Sequence, residues 1–217
     1  MPTVPYYTSD GTRVPGVTTV LSRFKDSGPL MQWAFQMGRA GCSSLYEQSE
    51  VACDIGTFAH AMVEQHIKGL ESDAVLDTAP QDLRDRICNA FGEYLEWEQQ
   101  TRVKFIAQEI PLVSELYRFG GCPDAIGIIN DKRCLIDWKT SNGVYPDHLI
   151  QLAAYQNLWN ENFPDQQLDD VSYLCRFSKE FADFEVRKFG DHTTAWELFK
   201  LYRQAYELDK QLKKRVR

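Results

Sequence analysis

The sequence predicts an α/β domain with a helical first half, followed by a sheet and a long closing helix. Two observations carry this. Apolar residues recur at helical spacing between Leu30 and Gln99. From Val103 the pattern shortens to apolar runs bounded by Gly, Pro, Asn and Asp, which is the signature of strands. A length of 217 residues, 43% hydrophobic and 12% aromatic, suffices for one domain with a sizeable core. The single domain 1–217 divides into a mostly helical part (1–102), a sheet core (103–190) and a C-terminal helix (191–217).

Tyr6 to Gly16 is rich in turn formers and reads as a short hairpin. Val17 to Leu21 is β-branched and could open a strand or a helix. Helices are predicted from Leu30 to Tyr46, Asp54 to Lys68 and about Gln81 to Gln99, the second ended by Gly69. Strands are predicted at 103–107, 109–113, 125–129 and 134–138. A helix from about Pro146 to Asn160 follows, then strands near 171–177 and 184–189. Thr194 and Glu197 have the spacing of a capping box for the last helix.

No stretch approaches the roughly 18 apolar residues of a membrane span, and the polar start lacks the plan of a secretory signal. A cytoplasmic protein is expected. Six cysteines without a C-x-x-C pair read as buried thiols rather than metal ligands. The net charge of −7 speaks against a nucleic-acid partner at first sight. Between Lys200 and Arg217, however, seven basic residues face only Glu207 and Asp209, either a phosphate-binding tail or a solvated helix end.

The chemistry concentrates between Cys122 and Lys139. Asn130-Asp131 separates two apolar runs, and both residues tolerate the positive φ of a two-residue turn. With the turn there, Asp124 lies opposite Asp137, their Cβ atoms roughly 4.5–5.5 Å apart. Strand alternation puts Lys139 on the face of Asp137 and Trp138 on the other. Ile126, Ile128 and Leu135 line one face, and Ala125, Ile129, Ile136 and Trp138 the other, as in a strand pair covered on both sides.

Charges in such surroundings are costly unless paired or bound to metal. Two facing carboxylates suit Mg²⁺, which takes hard oxygen ligands and keeps waters. Phosphodiester hydrolysis would follow, with Lys139 orienting or helping to deprotonate the attacking water. A structural Asp–Lys ion pair at a strand end is the alternative.

Two helices carry further candidates. His60 and Glu64 stand at i and i+4 beside the apolar stripe of their helix, with Gly56 permitting close backbone approach. Gln151 and Tyr155 have the same spacing and can donate hydrogen bonds to a phosphate or a carboxylate. Taken singly, His60 reads more readily as a core or boundary residue, Tyr155 as core and Gln151 as a polar boundary residue.

Taken in order, Gly56 to His60, Gly121 to Asp124, Asp137 to Thr140 and Gln151 to Tyr155 match G-x-x-x-H, G-x-P-D, D-W-K-T and Q-x-x-x-Y. In this the chain resembles the RecB-like branch of the PD-(D/E)XK nuclease superfamily. It is most similar in feel to the small phage exonucleases and the mitochondrial genome-maintenance exonuclease, whose N-terminal segment looks like Pro15 to Leu21. The resemblance implies a restriction-endonuclease-like α/β/α core with a mixed central sheet.

It also implies that His60, Asp124, Asp137 and the Trp138 carbonyl hold Mg²⁺, for which Mn²⁺ can substitute. Lys139 would be catalytic, Gln151 and Tyr155 would lie near the scissile phosphate, and Glu64 would fill the acidic position of the first helix. The third position carries Asp137 rather than Glu, which the pattern allows. The four cysteines that bind an iron–sulfur cluster in some members are missing, so none is expected.

The implied function is a DNA exonuclease acting on ends or single strands in recombination, repair or replication, and the resemblance to phage exonucleases allows a phage-encoded origin. A recombination or single-strand-binding protein is the implied partner. A structure-specific endonuclease and a catalytically inactive DNA-end or protein-binding module are the alternatives.

Overall fold

The structure, a computed structural model, describes residues 5–41, 45–178 and 183–216. Two short strands, β1 (Tyr6–Tyr7) and β2 (Arg13–Val14), form the expected N-terminal ribbon. The ambiguous segment that follows is a helix, α1 (Val17–Phe24). It buries Val17, Val20 and Leu21, an i, i+3, i+4 stripe whose burial outweighs the β-branched preference for strand. Helices α2 (Gly28–Arg39) and α3 (Leu45–Ile67) come next, the second starting well before the expected Asp54. Residues 42–44, inside the helix predicted from Leu30 to Tyr46, lie outside the described residues. After a short α4 (Asp73–Asp77), a 3-10 turn (Gln81–Leu83) leads into α5 (Arg84–Thr101).

The central sheet has the order β3 (Lys104–Gln108), β6 (Ala125–Ile129), β7 (Lys132–Thr140), β8 (Ser172–Phe177), β9 (Phe184–Phe189). Only β7 and β8 run parallel, and α6 (Pro146–Asn162) makes the crossover between them. A separate hairpin joins β4 (Leu112–Ser114) to β5 (Phe119–Gly121). The chain ends in α7 (Thr193–Arg215).

Helices cover both faces of the sheet. On one, Ile126, Leu135 and Leu174 pack with Val20 of α1, Leu152 and Leu158 of α6 and Phe199 of α7. On the other, Ile136, Trp138 and Cys175 pack with Ala59 and Val63 of α3 and Ala90 and Tyr94 of α5. This is the three-layer α/β/α arrangement with a mixed sheet, and β7 is its middle strand.

Three local expectations are corrected. The strand expected at 109–113 starts only at Leu112, because Glu109 takes a left-handed φ of 48° that ends β3. The Thr194–Glu197 box does not cap α7, which begins two residues earlier, after His192. Asp191 serves the helix start instead, its carboxylate accepting the Thr193 N–H at 3.4 Å. Of the cysteines, Cys134 and Cys175 are buried as expected, Cys122 is half-buried and Cys88 is exposed; Cys42 lies outside the described residues, as does the side chain of Cys53. No described helix is long and apolar enough to cross a membrane.

Candidate active site

The β6–β7 turn falls at Asn130-Asp131, with φ of 50° and 61°, the left-handed pair that a two-residue hairpin turn needs. The ladder pairs Ala125 with Ile136 and Ile126 with Leu135, so the next step places Asp124 across from Asp137. Beyond the last pair, the Trp138 N–H donates to Asp124 Oδ2 at 2.8 Å. That bond fixes one carboxylate to the backbone of the strand carrying the other.

Asp137 has no exposed surface. The Lys139 ammonium forms an ion pair with its Oδ2 and reaches the Trp138 carbonyl at 3.4 Å. The Asp137 contact is electrostatic, since neither carboxylate oxygen accepts a hydrogen bond of good geometry. Burial, and then the neighbouring Asp124, push the Asp137 carboxyl up to about 6. Asp124 is also raised, by burial against the pull of Lys139 and the Trp138 N–H. Burial works against charge on Lys139, but Asp137 and Asp124 outweigh it and hold the ammonium above its ordinary value.

Gly56 sets α3 against this strand. A Cβ on Gly56 would come within 2.0 Å of Thr140 Cγ2, so only glycine lets the helix pass so close to the residue that follows Lys139. One turn on, half-buried His60 feels Glu64, Lys139, Asp137 and Glu109, and burial depresses its basicity. Glu64 is turned toward Lys68, with which it forms an ion pair, and Lys68 also reaches Glu109 at 3.3 Å.

From the opposite layer, α6 contributes Gln151 and Tyr155. Gln151 Nε2 donates to Tyr155 Oη at 3.0 Å. The buried Tyr155 hydroxyl is held well above its ordinary value by burial, with Asp124 and Asp137 adding to the effect. Gly121 makes room for that ring: a Cβ there would come within 2.7 Å of Tyr155 Cε1. Sequence reasoning thus brought His60, Asp124, Asp137, Lys139, Gln151 and Tyr155 to one end of β7.

Glu109 escaped that reasoning. Its N–H donates to the Asp124 carbonyl at 3.0 Å, and its charge reaches both His60 and Asp124. The only signal was an acidic residue at the start of an expected strand. Part of the basic stretch of α7 is paired locally, Lys200 with Glu197, Arg203 with Glu207 and Lys213 with Asp209, as in a solvated helix end.

Residues 31–214 match the family model of the PD-(D/E)XK nuclease superfamily. The chain belongs to that superfamily. As a PD-(D/E)XK protein it has its ordered polar residues on the middle strand and the helices flanking it. Two solved structures are similar. One is an alkaline exonuclease from Laribacter hongkongensis, at 12% identity, covering 58% of this chain and 69% of that one, with a TM-score of 0.40. The other is a candidate exonuclease from Eubacterium rectale, at 12% identity, covering 68% and 64%, with a TM-score of 0.47. No curated protein matches the chain.

PD-(D/E)XK nucleases use divalent metals generally. Among the described residues no three His, Cys, Asp or Glu side chains stand together closely enough to ligate a metal ion. The donor set nevertheless fits a hard cation. Asp137 offers two buried oxygens without hydrogen bonds, and the Lys139 ammonium lies against Asp137 and the Trp138 carbonyl.

Proposed function

We propose that this PD-(D/E)XK protein is a divalent-metal-dependent DNA exonuclease of the RecB-like kind, acting in DNA recombination, repair or replication in the cytoplasm. The observation that carries the reading is Asp137, wholly buried and ionisable, facing the Lys139 ammonium and the Asp124 carboxyl without a hydrogen bond of good geometry to either of its oxygens. A structural ion pair would be expected to satisfy its carboxylate with hydrogen bonds. Leaving both oxygens without a well-formed hydrogen bond costs stability, and a catalytic site is where such a cost is tolerated.

In this reading His60, Asp124, Asp137 and the Trp138 carbonyl hold Mg²⁺ or Mn²⁺. The bound cation supplies charge to offset that developing on the phosphoryl oxygens. Lys139 keeps its proton beside two carboxylates, so it orients the attacking water and faces the phosphate as a cation. The Tyr155 hydroxyl accepts from Gln151, which leaves its own proton free for a phosphate or carboxylate oxygen. Glu64 and Glu109 set the charge around His60.

The test is degradation of end-labelled single- and double-stranded DNA with Mg²⁺ or Mn²⁺ by the wild type, Asp137→Ala and Lys139→Ala. Mononucleotide products that vanish in both variants are expected. Discrete fragments would instead assign a structure-specific endonuclease. No cleavage by the wild type under broad conditions would overturn the nuclease reading.

A further inference from the structure

The connection from β7 into α6 carries an aromatic side chain that the reaction above does not use. Tyr145 is 48% exposed. A lone exposed ring is ordinary on a protein surface, so its setting has to decide whether it matters. Its ring meets that of His148 edge-on, with centroids 5.4 Å apart and planes at 79°. His148 in turn stands three residues before Gln151 and seven before Tyr155, on the face of α6 that looks at the carboxylates.

His148 is oriented by the backbone of Tyr145. Its Nδ1 accepts the Tyr145 N–H at 3.4 Å, which leaves Nε2 to carry the proton of the neutral ring. Nε2 has no hydrogen-bond partner among the described residues. The charged groups facing His148 are Lys139 and Asp137 from β7, Asp147 from its own helix, and Lys25 from the connection between α1 and α2. Lys25 lies 3.5 Å from Asp147 and is otherwise open to solvent. An exposed ring, an N–H donor without a partner among the described residues and an ammonium thus line one rim of the buried site.

We propose that Tyr145 and His148 form a binding subsite for one unpaired nucleotide next to the scissile phosphate. The base stacks on the open face of Tyr145, His148 Nε2–H bonds the adjoining phosphate, and Lys25 neutralises it. This rests on the nuclease reading for the word scissile only. Stacking on an aromatic face is tolerant of sequence because every base has a π-face. A base inside a duplex is already stacked and paired and cannot cover the ring. The subsite therefore favours single strands or frayed ends over paired DNA, without reading sequence.

The experiment measures binding of a short oligothymidylate carrying one 2-aminopurine, in EDTA so that nothing is cut. Quenching of the 2-aminopurine on binding is expected for the wild type and Tyr145→Phe. Tyr145→Ala should bind about tenfold more weakly, the usual effect of losing one stacked base, and lose the quenching. His148→Ala should bind more weakly with the quenching retained, and His148→Gln, which keeps an N–H donor, should recover affinity. Both positions are at the surface or rim, and an unchanged melting curve separates lost binding from lost folding.

If Tyr145→Ala binds, quenches and cleaves like the wild type, the subsite is wrong and the nuclease reading stands. If the wild type binds through Tyr145 and cuts no DNA, the nuclease reading fails and the subsite survives.

Discussion

Gly56 of α3 and Thr140 of β7 are in such close contact that a methyl group added at Gly56 would lie 2.0 Å from Thr140 Cγ2. This contact sets the distance at which α3 presents His60 to the end of β7. Gly56→Ala should shift the helix outward and cost about 1–3 kcal/mol, the usual range for overpacking. Urea denaturation measures the loss, and cleavage should fall with it because His60 moves. Thr140→Ser in the same chain removes the methyl group that is hit, and should recover part of both. If Gly56→Ala has wild-type stability, the helix can slide and the contact does not position His60.

The ion pair between Asp137 and Lys139 makes unequal predictions for its two members. Removing the cation in Lys139→Met strands a buried carboxylate, which should cost about 3–5 kcal/mol without added metal. Asp137→Asn removes the charge that burial disfavours and leaves the Lys139 ammonium with Asp124 as its remaining counter-charge, so it should cost less than Lys139→Met. Both should lower cleavage by at least about a hundredfold. Thermal melting in EDTA and in Mn²⁺ checks the scheme. Mn²⁺ should restore much of the stability of Lys139→Met by supplying a cation, and should do nothing for Asp137→Asn. Equal stabilisation of both variants by Mn²⁺ would place the cation elsewhere.

Much of this site was legible because each part rests on local rules. Asn130-Asp131 is a turn that only a few residue pairs form, and once it is fixed, strand alternation dictates which face Asp124, Asp137 and Lys139 share. Helical spacing did the same for His60 with Glu64 and for Gln151 with Tyr155. What the sequence concealed depends on partners distant along the chain. Strand β5 contains Gly120 and Gly121, poor strand formers, and exists because the rings of Tyr6 and Tyr155 occupy the space where their side chains would be. The backbone of Glu109 turns left-handed at the end of β3, beside a break in the pairing with β6, and no local pattern announces that.

His192, at the start of α7, predicts how stability responds to acid. Burial holds its basicity below the ordinary value, against Asp170 and Asp191, and Nε2 shares a 2.9 Å hydrogen bond with Ser172 Oγ. The folded state thus binds a proton on His192 less readily than the unfolded chain does. Stability from this residue is fully present above the ordinary histidine pKa of about 6.5 and is lost as pH falls through the lower folded value. Urea denaturation between pH 7.5 and pH 5 should show a smaller loss in His192→Gln than in the wild type. Asp137, whose folded pKa is raised, contributes in the opposite sense, so the comparison of variants isolates His192. Parallel profiles for the two proteins would mean that His192 titrates normally.

The Gln151–Tyr155 hydrogen bond predicts coupling between two residues four positions apart. Gln151 donates to the Tyr155 oxygen, and this directs the hydroxyl proton away from Gln151, toward the side of the pocket where Asp124 and Asp137 lie. Tyr155→Phe deletes that proton and leaves the ring in place, so folding should change by about 1 kcal/mol while the single-turnover cleavage rate falls about ten- to hundredfold. Gln151→Ala leaves the hydroxyl but lets it rotate, and should have a smaller effect. Because Gln151 acts through Tyr155 in this scheme, the double variant should be no slower than Tyr155→Phe alone. Losses that add fully would show that Gln151 meets the substrate on its own account.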